Sequence, residues 1–152
     1  MIETRETNKA IVQRFFEEVW DQRNYALLDG IIDPDCVLHD PNPILNGSRG
    51  PSGYRQWLEA TRPAVPDVRH ELEQFAEGET VITFYTASGT HQGPLGGLLN
   101  SVVPEGKEIH FTGYVISRVV HGKIVDQRQQ VNILGVMLQL GVIPAPSQSP
   151  TT

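Results

Sequence analysis

Two periods of hydrophobicity divide this chain. Near the start, Ile11, Val12, Phe15, Phe16, Val19 and Trp20 recur at spacings of one and four. That rhythm predicts an amphipathic helix over about residues 4–21 with a broad aromatic stripe. A short helix over about 25–30, capped by Asn24, and a turn at Asp33-Pro34-Asp35 are expected to lead into a short strand at 36–40. Beyond the turn-rich DPNPILNGSRGPSG, a third helix places Tyr54, Trp57, Leu58 and Thr61 on one face. It stops before Pro63, because proline disfavours helical conformation in the residue ahead of it.

From Asp67 onward the period shortens to two, which predicts strands at 68–75, 80–90, 109–120 and 123–131 with tight turns at Glu77-Gly78 and His121-Gly122. Helices first and a meander of long strands afterwards argue for an α+β domain over 1–141. Its helices would cover one face of a curved antiparallel sheet and enclose a pocket. The connection HQGPLGGLLNSVVPEGKE is too long for a hairpin, and such loops are functional lids or disordered segments. A short helix at 132–140 closes the series, and the Pro/Ser-rich tail 142–152 is expected to be frayed.

Composition narrows the chemistry. Hydrophobic residues at 39% and charged residues at 20% are ordinary for a globular protein, and no apolar run approaches the roughly 20 residues of a membrane span. The opening MIETRETNK lacks the apolar segment of a secretory signal, so a cytoplasmic location is expected. Cys36 is the single cysteine, which excludes an intrachain disulfide and a cysteine-built zinc site. With 12 Lys plus Arg against 18 Asp plus Glu and no basic run, nucleic acid is not an expected partner. His39, His70, His91, His110 and His121 are scattered without metal-ligand spacing, so no metal is expected. Neither a phosphate-cradling loop nor a nucleophile elbow is present. Acid/base chemistry or plain binding in a cavity remains.

Taken in order, the aromatic first helix, DPDCVLHDPNP, GPSGYRQWLEATRPAVPD, FYTASGTHQGPLGG and GKIVDQRQQVNILGVMLQLG resemble the SnoaL-like polyketide cyclases over about residues 8–141. That family is part of the nuclear-transport-factor-like (cystatin-like) α+β cone superfamily. The resemblance implies a cofactor-independent enzyme that binds a hydrophobic small molecule and pairs as a homodimer through the outer sheet face. It also implies a general acid/base aspartate on the last strand and a histidine on the strand before. Aligned without gaps, those positions fall on Gln129 and Val115, and a frequent carboxylate position falls on Asn132. An amide has no accessible pKa, so the founding proton transfer does not carry over.

Strand alternation places Val125, Gln127, Gln129 and Val131 toward the pocket and Asp126, Arg128 and Gln130 outward, toward a dimer contact. Buried amides left unpaired cost about 1–3 kcal/mol each, so Gln127 and Gln129 need partners or a ligand. His39, beside Asp40, and His91, at a strand end, become the candidate acid/base residues. His110 reads as outward, and His70 and His121 as surface residues. Phe16, Trp20, Tyr54 and Trp57 serve first as helix-to-sheet core and also as pocket lining. Tyr85, which shares parity with Ala87, Gly89 and His91, is the expected phenol; Val115, Gln127, Gln129 and Asn132 complete the expected substrate contacts. The expected activity is cyclisation or isomerisation of a carbonyl-bearing polyketide or terpenoid. Two alternatives stay open: a non-catalytic binding protein of the same fold, and an epoxide hydrolase-like enzyme using Asp126 and Arg128 if a bulge turns them inward.

Overall fold

The large-residue doublets Phe15-Phe16 and Val19-Trp20 decide how the helical layer meets the sheet. In the computed structural model, which describes residues 2–43, 45–95, 101–144 and 146, α1 (Ile2–Arg14) runs directly into a π-helix, Phe15–Asp21. Gln22 N–H reaches back five residues to Glu17 O at 3.1 Å. The wider turn has a smaller angular step per residue, so Phe15 and Phe16 are both buried together with Val19. Trp20 stacks on Phe16 with ring centres 5.9 Å apart. The sequence pattern predicts a plain α-helix here; the adjacent large residues are what favour the wider form.

A 3₁₀ turn, Tyr25–Leu27, and α2, Leu28–Ile31, follow. The Asn24 side chain does not cap them; instead its backbone N–H bonds Glu18 O at 2.9 Å. The first strand, β1 (Ile32–His39), starts four residues earlier than expected and absorbs Asp33-Pro34-Asp35. The predicted turn survives inside it as a kink, with Asp35 N–H donating to the Asp33 carboxylate at 2.9 Å and the pairing register breaking between Ile32 and Val37. An edge strand tolerates proline there. After α3 (Gly50–Thr61) and a 3₁₀ turn, Arg62–Ala64, the chain enters the long strands β2 (Arg69–Glu77), β3 (Thr80–Thr90), β4 (Glu108–Val120) and β5 (Lys123–Val131). A short α4, Ile133–Gln139, ends the fold.

The sheet order is β1-β5-β4-β3-β2, antiparallel except where β1 joins β5 in parallel. That mixed edge arises because three strands and α3 separate the two in sequence, long enough for a crossover. The hairpin between β4 and β5 turns at His121 and Gly122, both at positive φ (50° and 78°), as a type I′ connection requires. Near that turn Arg118 faces Asp126 and Val119 faces Ile124, which leaves Val125 as the extra residue of a bulge. Val125 therefore does not share the inner face with Gln127 and Gln129; Ile124, fully buried, takes that place. The centre of the HQGPLGGLLNSVVPEGKE loop, residues 96–100, and most of the expected tail, 145 and 147–152, lie outside the described residues. Among the described residues no helix is long and apolar enough to cross a membrane.

Polar side chains tie the layers together inside. Tyr54 on α3 donates its hydroxyl to Gln127 Oε1 at 3.0 Å, and Gln127 Nε2 donates to Ser117 Oγ at 3.0 Å. Cys36 Sγ lies 3.4 Å from the same phenol oxygen. One continuous chain of contacts thus links β1, α3, β5 and β4, and Gln127 has both ends occupied. Burial pushes the Cys36 thiol up to about 11, against the lowering effect of its Tyr54 hydrogen bond.

Two predictions follow from this packing. Native protein at pH 8 should leave Cys36 unreacted with a thiol reagent such as DTNB and react fully in urea; rapid native labelling would contradict its burial. A Cβ at Gly113 would stand 2.3 Å from Tyr85 Oη, whereas one at Gly30 meets nothing within 4 Å. Gly113→Ala should cost about 1–3 kcal/mol in urea unfolding, and Gly30→Ala, in α2, should be neutral or slightly stabilising.

Candidate functional site

His70 lies on β2 between Val68 and Leu72, all on the face that meets the helices, and its side chain is 0% exposed. It is not the surface residue that the sequence reading predicts. The strand's own pattern explains why: Glu71, Glu73 and Glu77 take the other face, and His70 shares parity with the apolar set. At the end of the π-helix, Asp21 grips this residue twice. Its Oδ1 is 2.6 Å from His70 Nδ1, and its Oδ2 accepts the His70 backbone N–H at 3.0 Å. A carboxylate acceptor at Nδ1 places the proton of the neutral ring there. Nε2 is then left as the basic nitrogen, pointing into the molecule.

No protein group meets that nitrogen. Trp57 Nε1, His70 Nε2, Tyr85 Oη and His91 Nε2 are buried side-chain atoms without a hydrogen-bond partner among the described residues. Buried polar atoms in this state are uncommon and call for water or a ligand. Three of the four belong to one connected set of rings: Trp57 lies 5.0 Å from Trp20, Trp20 4.5 Å from His70, and His70 5.2 Å from Tyr85, centre to centre. Phe16 closes one side at 5.3 Å from His70 and 5.6 Å from Tyr85.

Tyr85 pairs across the strands with Gly113, and the missing side chain is what lets the phenol lie over β4. Burial, reinforced by the negative charge of Asp40, raises its pKa well above the ordinary tyrosine value, so the hydroxyl is a proton-bearing donor. Asp40 in turn is held by Gln129, whose Nε2 donates to Asp40 Oδ2 at 2.5 Å, and by Asn42 N–H at 2.6 Å. The interior polar groups thus run from Asp21 and His70 through Tyr85 toward Asp40 and Gln129. Such an arrangement can remove a proton at one end and donate a hydrogen bond to a neighbouring oxygen.

The sequence-chosen residues divide accordingly. Phe16, Trp20, Trp57 and Tyr85 form the aromatic enclosure. Tyr54, Val115, Gln127 and Gln129 are buried beside it, but Tyr54 and Gln127 satisfy each other. His91 is buried just past the end of β3, six residues beyond Tyr85, roughly 20 Å of extended chain from it. His39 stands apart: its side chain is 47% exposed and its Nε2 lies 3.0 Å from Asp126 Oδ1 on the outer face of the sheet. Asn132 is exposed, and its carboxamide caps α4 by accepting Gly135 N–H at 3.0 Å, which removes it from the substrate contacts. Asp126 and Arg128 remain outward because the bulge falls at Val125, before them, so they supply no pocket carboxylate for epoxide opening.

Two open concavities flank this interior. A groove of about 570 Å³ on the outer sheet face has Ile82, Tyr114 and Ile116 as floor and His39 and Arg128 at its rim. A cleft of about 490 Å³ at the end of the helical layer is lined by Glu17, Asp21, Arg62, Asp67, Arg69 and His70; the Asp21 side chain, 17% exposed, is reached from outside, whereas the fully enclosed His70 side chain is not. Among the described residues no group of three His, Cys, Asp or Glu converges as a metal site.

Comparison with known proteins agrees with this architecture. The model of the SnoaL-like polyketide cyclases matches residues 10–140. A candidate polyketide cyclase from Acidithiobacillus ferrooxidans superposes with a TM-score of 0.79 at 27% identity, covering 90% of this chain and 95% of that one. IdmH, a candidate polyketide cyclase from Streptomyces antibioticus, gives 0.75 at 24% over 88% and 98%. AclR, a candidate hydroxylase from Streptomyces galilaeus, gives 0.75 at 22% over 93% and 85%. No curated protein matches in the corresponding comparison. With its family match spanning nearly the whole fold, the chain belongs to the SnoaL-like polyketide cyclases.

Proposed function

We propose that this protein is an acid/base enzyme that enolises a hydrophobic carbonyl compound, of polyketide or terpenoid type, and so drives a ring closure or an isomerisation. The observation that carries this reading is the buried Nε2 of His70, unpartnered among the described residues and backed by Asp21, with the ring of Tyr85, whose phenol is also unpartnered, 5.2 Å away centre to centre. In the proposed step the substrate carbonyl oxygen accepts a hydrogen bond from Tyr85 Oη, and Nε2 takes a proton from the carbon next to that carbonyl. The C–H electron pair moves into the enolate, whose oxygen charge Tyr85 stabilises. The enolate carbon then attacks a second carbonyl carbon of the substrate, whose C=O π pair moves onto oxygen and takes the proton from the imidazolium, or the imidazolium returns the proton to another carbon of the enolate. Asp21 stabilises the imidazolium between these events. The rings of Phe16, Trp20 and Trp57 exclude water and hold the apolar body of the substrate. His91 is kept in the proposal as a polar contact farther along the pocket, not as the proton carrier, and His39 has no part in the step.

A binding protein of the same fold is the second reading, favoured by Gln129 and Val115 standing at the family's acid/base positions. One experiment separates them without knowledge of the natural substrate. Hydrophobic cyclic ketones and β-dicarbonyl compounds that raise the melting temperature are incubated with the protein in D₂O, and deuterium entry beside the carbonyl is followed by NMR. Enzyme-dependent exchange is expected. It should fall about 10²–10⁴-fold in His70→Gln and about 10²–10³-fold in Tyr85→Phe, with His39→Ala unchanged. Stabilising ligands that never exchange, or exchange indifferent to His70, would move the assignment to binding.

We also propose that the outer sheet face joins a second copy of the chain. Ile82 pairs across the strands with Ile116, and Phe84 with Tyr114, so the exposed apolar side chains form one contiguous patch. The His39–Asp126 and Arg128 charges at its rim suit a two-fold, self-complementary contact. Light scattering should give a dimer for the wild type and a monomer for Ile116→Asp; a wild-type monomer at micromolar concentration would overturn this.

A further inference from the structure

The Asp21 carboxylate can serve His70 only if the end of the π-helix is held still, and that end is where the first helix gives out into the 22–24 connection. One side chain does the holding. Arg62, in the turn after α3, directs all three arms of its guanidinium at backbone carbonyls: Nη1 donates to Trp20 O, Nη2 to Asp21 O at 3.1 Å, and Nε to Pro66 O at 2.9 Å. Two of these acceptors are the last carbonyls of the π-helix, which lack partners of their own within it. The third belongs to the segment that leads into β2, three residues before Arg69. Arg62 therefore spans the two pieces of backbone whose relative position sets the distance from Asp21 to His70.

We infer that Arg62 is the positioning residue of this site: by clamping Trp20 O, Asp21 O and Pro66 O it keeps the Asp21 carboxylate on His70 Nδ1, and so fixes which ring nitrogen faces the pocket. This rests on the reading of Asp21 and His70 as the proton-handling pair. Three further observations support it. Arg23 also donates to Pro66 O, at 2.6 Å, so two arginines converge on this carbonyl, and mutual repulsion would make the arrangement costly without a function for the clamp. Burial and then the neighbouring Arg23 lower the Arg62 pKa, with Tyr25, Asp21 and Asp67 opposing the fall, and an arginine remains charged in such surroundings. Finally, Asp67 is itself fastened, accepting Thr90 N–H at 2.7 Å and Thr90 Oγ1 at 2.8 Å, which anchors the same connection to β3. The fork geometry matters as well as the charge, since an ammonium is a point donor and does not match three divergent carbonyls.

The test reads the ring directly. Histidine ¹⁵N–¹H correlation spectra, recorded where the His70 ring is neutral, report which nitrogen carries the proton. The wild type is expected to show proton-bearing Nδ1 and bare Nε2. Arg62→Gln and Arg62→Lys should both shift His70 toward a mixture of tautomers, Lys less than Gln, with circular dichroism and cooperative unfolding retained. In the D₂O exchange assay kcat should fall by up to about 10²-fold with KM little changed. Should one variant fail to fold, the other decides. Variants that are merely less stable, with His70 still purely Nδ1-protonated and kcat unaltered, would overturn the role of Arg62. A wild type already carrying its proton on Nε2 would instead remove the Asp21–His70 reading beneath it, so the two failures are distinguishable.

Discussion

A buried imidazole is useful only if a neighbouring group fixes its orientation, and in this fold Asp21 does so through the backbone and ring nitrogens of His70 together. Much of the architecture bears on that contact. The π-helix brings the doublets Phe15-Phe16 and Val19-Trp20 inward and ends with the Asp21 carboxylate beside β2. The end of α3 returns to clamp the same backbone. The inner face of β2 supplies the histidine, and β3 supplies the phenol beside it. Because His70 is wholly enclosed, an Asp21 displaced from it would leave a ring nitrogen unpaired in a low-dielectric interior, at a cost of about 1–3 kcal/mol. The contact thus stabilises the fold as well as orienting the imidazole.

Polar groups inside the cone fall into two kinds. Cys36, Tyr54, Gln127 and Ser117 satisfy one another and join the sheet to α3, so they belong to the framework. Trp57, His70, Tyr85 and His91 each present an atom with no protein partner among the described residues. Buried polar atoms left open in this way call for water or a ligand. Gln129 stands between the two: it faces the interior, but its amide holds Asp40, and Asp40 raises the pKa of the Tyr85 phenol. The residue at the family's aspartate position therefore still bears on the site's electrostatics, by presenting a carboxylate rather than by being one.

Much of this was legible in the chain. Period-two runs placed β3 and β5 to the residue, and alternation placed Gln127 and Gln129 inside with Asp126 and Arg128 outside. The bulge at Val125 escaped, because an inserted residue leaves no mark on a short apolar-polar pattern. The π-helix escaped for the reason that its hydrogen bonds answer to tertiary packing, although the doublets Phe15-Phe16 and Val19-Trp20 hinted at a face too wide for an ordinary helix. His70 was the costly miss. Its signal was present, since it shares parity with Val68 and Leu72 against a row of glutamates, but its meaning depends on Asp21, 49 residues earlier, which only the fold brings near. His39 misled in the opposite way: a histidine beside an aspartate at a strand end looks reactive, yet strand parity turns it to the outer face.

A crystal structure at a resolution that shows ordered water would reveal what occupies the space between His70 Nε2 and Tyr85 Oη. A water molecule or a ligand oxygen is expected within hydrogen-bond reach of both atoms, with Asp21 still on Nδ1 of His70. A ring turned so that Nε2 meets a protein group, or a dry space between the imidazole and the phenol, would contradict it.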